Sequence, residues 1–424
     1  MPAPHWLSDA IFYQVFPDRY ANSDHRLDPT DVADWDSPPT RDNFLGGDLK
    51  GIEDHLDHIV SLGVNAIYLT PIFEACTNHR YDCTDYFSID HRLGTVNDFR
   101  RLLSVCHDKG VRVVLDAVFN HCGDQHPYFR DVVENGAQSE YVNWFYVEGF
   151  PVAATPALNY RTCSGCAYLP KWNAHNPAVR EHHYRVARHW IAEGIDGWRL
   201  DVPYMINLPF WRGFRDVVKG IDESLCIIAE DWRQPDQWLA GDTADGTMNY
   251  TLRDLILGFI AERSLDGPEF AAGMNRLYAR IPDGYHHGML NLLGSHDTER
   301  VLTRCGDDTA SVKDAYSLLF AADGAPMLYY GDEIGMNGGN DPHCRAGMVW
   351  DMGRWDMSIL AHIRSLSQAR ASHESLRHGR QTVTAVDSDT VRVTRTLTAT
   401  QTHITVKRGA GSPVATVLTE EDVS

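Results

Sequence analysis

The sequence is short of positive charge: 38 Lys and Arg stand against 58 Asp and Glu, a net charge of −20 at neutral pH. That balance repels phosphate backbones and anionic headgroups, which excludes nucleic acid and membrane surfaces as partners. Long apolar runs are missing too, and with them any bilayer-spanning segment. The opening Met1-Pro2-Ala3-Pro4-His5-Trp6 has no basic region followed by an apolar stretch, so no secretory leader is expected. Cysteine occurs nine times, an odd number with no repeating frame. This excludes a disulfide scaffold and favours a reducing, cytoplasmic setting. Cys163-Ser164-Gly165-Cys166 has a redox-like or zinc-like spacing. No second Cys pair follows it and no thioredoxin-like context surrounds it, so it reads as two loop thiols. Internal repeats and low-complexity tracts are also absent.

The 424 residues, 43% apolar and 23% charged, are enough for one large domain plus a smaller one. Short apolar or β-branched runs predict strands at Ile11–Phe16, Ala66–Thr70, Val111–Phe119, Asp196–Val202, Cys226–Glu230, Met248–Tyr250, Met289–Gly294 and Pro326–Tyr330. Amphipathic stretches between them predict helices, among them Ile52–Leu62, Val96–Lys109, Pro177–Glu193 and Phe210–Val218. Asn176 is a fitting cap before Pro177, and Gly63, Gly110 and Gly194 are fitting stops. Strands alternating with helices imply a parallel sheet covered on both faces, and eight of them a closed (β/α)8 TIM barrel of the α/β class. Residues 1–121 and 173–372 are assigned to the barrel. Residues 122–172, rich in Gly, Pro, Tyr and Asn, are too long for a simple loop. They are expected to form a subdomain inserted after the third strand, over the barrel mouth. Alternation in Thr382–Val386, Thr390–Leu397 and His403–Val406 makes residues 373–424 a short antiparallel β module.

Ionisable groups recur where these strands stop. The third ends Asp116-Ala117-Val118-Phe119-Asn120-His121, the fourth Arg199-Leu200-Asp201, the fifth Ile228-Ala229-Glu230 and the seventh Ser295-His296-Asp297. Arg199 and Asp201 lie two apart and so share a strand face, where a cation holds a carboxylate ionised, as a nucleophile requires. From that stretch alone a structural ion pair explains the pattern equally well. Four strand ends on one rim favour catalysis, because a barrel's active site sits at that end.

These segments, in this order and spacing, resemble the α-amylase superfamily, glycoside hydrolase family 13, over about Ile11 to Trp350. The resemblance implies that Asp201 is the nucleophile, Glu230 the general acid/base and Asp297 the carboxylate that stabilises the transition state. Arg199 would position the nucleophile, His121 and His296 would bind the cleaved sugar, and Asp116 and Asn120 would hold loops. Phe12–Tyr20, Phe44–Ile52, Asn78–Asp82 and Leu169–Asn173 are similar to the neopullulanase, cyclomaltodextrinase and maltogenic amylase branch. By that likeness Tyr81 is a platform under the sugar, with His79 and Asp82 beside it. The implied activity is retaining cleavage of α-1,4 bonds in maltooligosaccharides and related α-glucans, cyclodextrins and pullulan included. The reaction would pass through a covalent intermediate, with Arg199 lowering the pKa of Asp201 while Glu230 stays protonated. The alternatives are an α-glucosidase, a transglycosylase and, more remotely, a non-catalytic carbohydrate-binding barrel.

The chain departs from the branch where Tyr204 and Met205 follow Asp201, where Asp231, Trp232 and Arg233 follow Glu230, and in lacking the branch's N-terminal domain. A monomer is therefore expected rather than a dimer built through that domain. No cofactor is needed for the chemistry. Asn22, Asp24 and Asp28 with Gly46 and Asp48 resemble a structural calcium site, for which hard oxygen donors are suited. The other reading is an Asx-rich turn.

Overall fold

The computed structural model describes residues 3–155, 157–233, 235–398, 400–409 and 419–422. Met1 and Pro2 of the predicted barrel, and residues 410–418 and 423–424 of the predicted terminal module, lie outside the described residues.

Eight parallel strands form the core: β1 (Phe12–Val15), β2 (Ala66–Leu69), β3 (Arg112–Ala117), β4 (Gly197–Leu200), β5 (Cys226–Ala229), β6 (Gly246–Thr247), β7 (Leu290–Leu292) and β8 (Ala325–Tyr329). Their order is β6-β5-β4-β3-β2-β1-β8-β7. The ring closes between β6 and β7 through a single parallel bridge, Met248 to Leu290, next to the bond from Asn249 N–H to Leu290 O (2.8 Å).

Period-two geometry divides the strand residues. Phe12, Ala66, Val114, Cys226, Ile228, Leu290 and Met327 pack together as one buried cluster. Tyr13, Ile67, Leu69, Leu115, Trp198, Leu200 and Ile227 belong to a second, larger cluster that includes the surrounding helices. The division places Gln14, Asp116 and Arg199 in phase with the first cluster, one step further along their strands. The interior is thus apolar low down and charged at its C-terminal rim. Gly197 opens β4 because a Cβ there would stand 2.3 Å from Cys226 Sγ and 2.5 Å from Cys226 O.

The sixth strand is a correction. It runs over Gly246–Thr247 rather than Met248–Tyr250, because Asn249 caps a helix, Tyr250–Ile260, by accepting from Leu252 N–H (3.2 Å). The predicted helix Ile52–Leu62 is two, Leu49–Asp54 and Leu56–Ser61, broken at His55. Pro177–Glu193 forms as predicted, with the Asn176 side chain accepting from Ala178 N–H. A hairpin, Phe73–Ala75 with Cys83–Ile89, was not foreseen.

After β3 the inserted stretch builds a helix, Pro127–Asn135, and a group of short bridges, His121 with Lys171, Phe145 with Trp172, Val147 with Tyr160 and Thr162 with Pro170. Trp172 is buried, stacked on Phe145 at 4.5 Å. At the end of the chain, Arg380–Ala385, Thr390–Leu397, Thr400–Lys407 and Thr419–Asp422 pair as an antiparallel sheet. Among the described residues no helix is long and apolar enough to cross a membrane.

Candidate active site

Arg199 is the hub. Its Nη1 donates to Asp116 Oδ1 and Oδ2 (both 2.9 Å) and to Asp201 Oδ1 (3.1 Å), and its Nη2 pairs with Glu230 Oε2 (2.9 Å). Asp201 and Glu230 thus meet on neighbouring nitrogens of one buried guanidinium. Asp116, expected to hold loops, ties the loop of Tyr81 to the charged cluster. It is fully enclosed and also accepts from the hydroxyls of Tyr68 (2.6 Å) and Tyr81 (3.0 Å).

One cation serving three carboxylates overturns the expected electrostatics. Burial pushes the Asp201 carboxyl well above the ordinary range, Arg199 pulls it down, and Glu230, Asp116 and Asp297 add to the upward push. Arg199 lowers the pKa as expected, but burial outweighs it and the net direction is up. Burial likewise raises Asp116 against the pull of Arg199. Carboxylates crowded this way share protons, which is the condition an acid/base pair needs.

Glu230 is fixed from two further sides. Its Oε2 accepts from Val202 N–H (3.0 Å) and its Oε1 from Trp232 Nε1–H (2.9 Å). Val202 presents that N–H from a left-handed backbone, φ 35°, which a β-branched residue adopts only under strain. Trp232 is braced by Tyr250, stacked at 3.7 Å and 9°.

Asp297 lies on the opposite side of the rim. Arg345 donates to its Oδ1 (3.2 Å) and to His296 O (2.7 Å), and pairs with Asp341 (3.0 Å). The Gln14 amide lies 2.8 Å from His296 Nδ1, on the side of the ring away from His296 Nε2. That nitrogen faces the Tyr81 hydroxyl (2.6 Å) and Asp297 Oδ2 (3.2 Å). Burial, with Arg345 and Arg199 nearby, holds His296 neutral, its pKa well below the usual value. The Tyr81 and His296 rings are parallel within 6°, 5.5 Å apart.

His79 accepts from Tyr81 N–H (3.1 Å), and burial lowers its pKa to about 3. His121 is buried with its pKa also at about 3, its Nδ1 3.2 Å from Asn120 Nδ2. Asp82 sits apart from the others: its carboxylate accepts from Cys76 N–H (3.1 Å), Thr77 N–H (3.3 Å) and the Thr77 hydroxyl, which holds the loop that carries Tyr81.

Sequence reasoning missed Gln14, Tyr68, Trp232 and Arg345 as partners of the catalytic groups. The first two carried a signal, as polar side chains in otherwise apolar barrel strands. Tyr81→Phe keeps the ring and removes the hydroxyl that joins Asp116 to His296. One net hydrogen bond is worth about 1 kcal/mol, so kcat/KM is expected to fall by no more than about tenfold. Steady-state rates on one oligosaccharide check this, and a loss beyond about a hundredfold would give the hydroxyl a direct role in the reaction.

The five residues proposed for calcium share one loop region, but their donors are engaged. Asp48 caps the helix Leu49–Asp54 through Gly51 N–H (2.6 Å) and accepts from Ser23 N–H (3.0 Å) and Asp24 N–H (2.7 Å). Asp24 pairs with Arg26 (2.5 Å), and Asp28 accepts from Asn22 Nδ2 (2.8 Å) beside Gly46. Only Asn22 Oδ1, buried among them, lacks a partner in this group. Among the described residues a three-ligand convergence occurs elsewhere, at Glu74, Asp90 and His91, where Arg92 (2.8 Å) and Arg80 (3.3 Å) already neutralise Asp90.

The family model "Alpha amylase, catalytic domain" matches residues 14–383. A cyclomaltodextrinase of Geobacillus thermopakistaniensis is 44% identical over 91% of this chain and 66% of its own length. An intracellular maltogenic amylase of Bacillus subtilis is 41% identical over 88% and 63%. The chain thus spans a little under two thirds of these relatives. A cyclic alpha-maltosyl-(1→6)-maltose hydrolase from Arthrobacter globiformis, solved in complex with cyclic alpha-maltosyl-(1→6)-maltose, superposes with a TM-score of 0.96 at 61% identity, covering 96% of this chain and 92% of that one. With the barrel, the three carboxylates and these matches in agreement, the chain belongs to the alpha-amylase family of glycoside hydrolases.

Proposed function

We propose that the chain is a retaining hydrolase of short or cyclic α-glucans, with cyclic alpha-maltosyl-(1→6)-maltose as its leading substrate. The observation that carries the reading is the shared guanidinium, which sets Asp201 and Glu230 side by side with Asp297 across the rim. In the first displacement Asp201 attacks the anomeric carbon in its ionised form, while Glu230 gives its proton to the leaving oxygen; in the second Glu230 takes a proton from water. Arg199 and the Val202 and Trp232 N–H groups keep both carboxylates in place throughout, so little reorganisation is needed as charge moves. Neutral His296 and Tyr81 supply the sugar-facing surface.

The substrate choice rests on the Arthrobacter relative and on the leaving-group side. There Tyr204 is 55% exposed and Trp232 38%, leaving flat faces open beside Glu230. Initial rates on that cyclic tetrasaccharide, maltotriose, pullulan and a cyclodextrin, with product anomers followed by NMR, test it. The ring is expected to turn over fastest and to release the α-anomer first. Faster cleavage of pullulan or maltotriose reassigns the substrate, an inverted product removes the double displacement, and inactivity on every sugar leaves a binding barrel.

The Asn22–Asp48 loop is proposed to hold its shape by hydrogen bonds rather than by an ion. EDTA is then expected to leave the Tm unchanged; a fall of several degrees reversed by calcium would restore the metal. A cytoplasmic location is proposed from the reduced cysteines and the intracellular relative.

A further inference from the structure

Cys163-Ser164-Gly165-Cys166 is the one motif that the proposed reaction leaves unused. The structure turns it into a tight hairpin: Cys166 N–H donates to Cys163 O (2.9 Å), and Cys163 N–H donates to Leu169 O to close the next rung (2.9 Å). Ser164 (φ 50°) and Gly165 (φ 80°) both take the left-handed backbone that a two-residue hairpin turn demands. A β-turn brings its first and last Cα atoms within about 7 Å, a range that overlaps the separation of about 4.4–6.8 Å across a disulfide. Both thiols are free. They differ in access: Cys163 is buried, whereas Cys166 is partly exposed.

The turn touches the catalytic rim. Cys163 Sγ lies 4.0 Å from Met205 Sδ, and Lys171, at the other end of the same hairpin, donates to Met205 O (2.5 Å). Met205 N–H in turn donates to Val202 O (3.0 Å), and Val202 gives its own N–H to Glu230.

We infer that Cys163 and Cys166 form an oxidation site, closing to an intraloop disulfide by exchange with a small-molecule disulfide. The Cys166 thiolate attacks one sulfur of the oxidant and displaces its other half as a thiol. The Cys163 thiolate then attacks Cys166 Sγ and releases the second half. Two electrons pass to the oxidant, and both protein protons end on the two released thiols. Burial, which raises the Cys163 thiol to about 11, makes Cys166 the first to react. Drawing Cys163 toward Cys166 withdraws it from Met205, so the bond is expected to loosen the support behind Glu230. That second consequence rests on the hydrolase reading above; formation of the bond does not.

The test incubates the full chain with glutathione disulfide and digests it with trypsin. Cleavage after Arg161 and Lys171 places both cysteines in the peptide Thr162–Lys171. That peptide is expected to lose two hydrogens, carry no glutathione and recover its mass with dithiothreitol. A peptide that stays a dithiol, or holds glutathione at Cys166, overturns the proposal. Turnover of the cyclic tetrasaccharide is expected to fall severalfold in step with the mass change and to return on reduction. Cys166→Ser is expected to keep the reduced enzyme's rate and lose the response. A disulfide formed without any change in rate retains the modification site and removes its coupling to Glu230. Because the mass is read without substrate, failure of the hydrolase reading is told apart from failure of the disulfide.

Discussion

Glu230→Gln lowers kcat by about 10²–10⁴-fold, the usual contribution of a positioned acid/base, while affinity for the sugar changes little. The amide is nearly the same size as the carboxyl and keeps one acceptor oxygen. It cannot give up a proton, so protonation of the leaving oxygen and activation of water both fail. The side chain's surroundings sharpen the expectation. Val202 N–H, Trp232 Nε1–H and Arg199 all donate toward Glu230, so the new NH2 must face a donor wherever it turns. A fluoride leaving group needs no proton, so the first step on an α-glucosyl fluoride is expected to be largely spared. Stopped-flow and steady-state rates on the fluoride and the oligosaccharide make the comparison. Equal losses on both would take the acid role away from Glu230.

Arg199→Met carries the largest stability effect. Removing one partner from a buried ion pair costs about 3–5 kcal/mol, and here Asp116, Asp201 and Glu230 all lose the same cation. The deficit is expected to depend on pH with a definite sign. Without the guanidinium Asp116 and Asp201 titrate still further above their unfolded values, so the native state binds more protons than the unfolded chain. Stability then falls as pH rises from the unfolded carboxylate range toward the raised native values. Denaturant unfolding at pH 5 and pH 7 checks this: the gap to the parent enzyme should widen at pH 7. A gap equal at both values would assign the loss to packing alone.

Much of this was legible in local sequence. The Arg199–Asp201 spacing, the apolar approach to Glu230 and the Ser295-His296-Asp297 end are each written in three to six consecutive residues, and strand geometry does the rest. What could not be read is what depends on distant partners. Gln14 meets His296 and Arg345 meets Asp297 only because the barrel brings β1, β7 and the loop after β8 to one rim. The place of Asp116 in the charged cluster could not be read either, because nothing nearby in the sequence shows that Tyr68, Tyr81 and Arg199 converge on it. The sixth strand was misplaced for a local reason: Met248 continues the apolar run, yet Asn249 has already begun a helix. The sign of the Asp201 shift was missed because spacing shows an adjacent cation but neither how deeply the carboxyl is buried nor how many anions share that cation.

The single bridge that closes the barrel has a consequence for heat inactivation. Every other neighbouring pair of strands is joined by a ladder of at least two residues, so the seam at Met248 and Leu290 is where the ring parts at least cost. Glu230 follows β5 on one bank of that seam and Asp297 follows β7 on the other. Opening there is expected to part the catalytic carboxylates, so activity should be lost on warming at a lower temperature than the bulk secondary structure, which residual rates followed beside circular dichroism check.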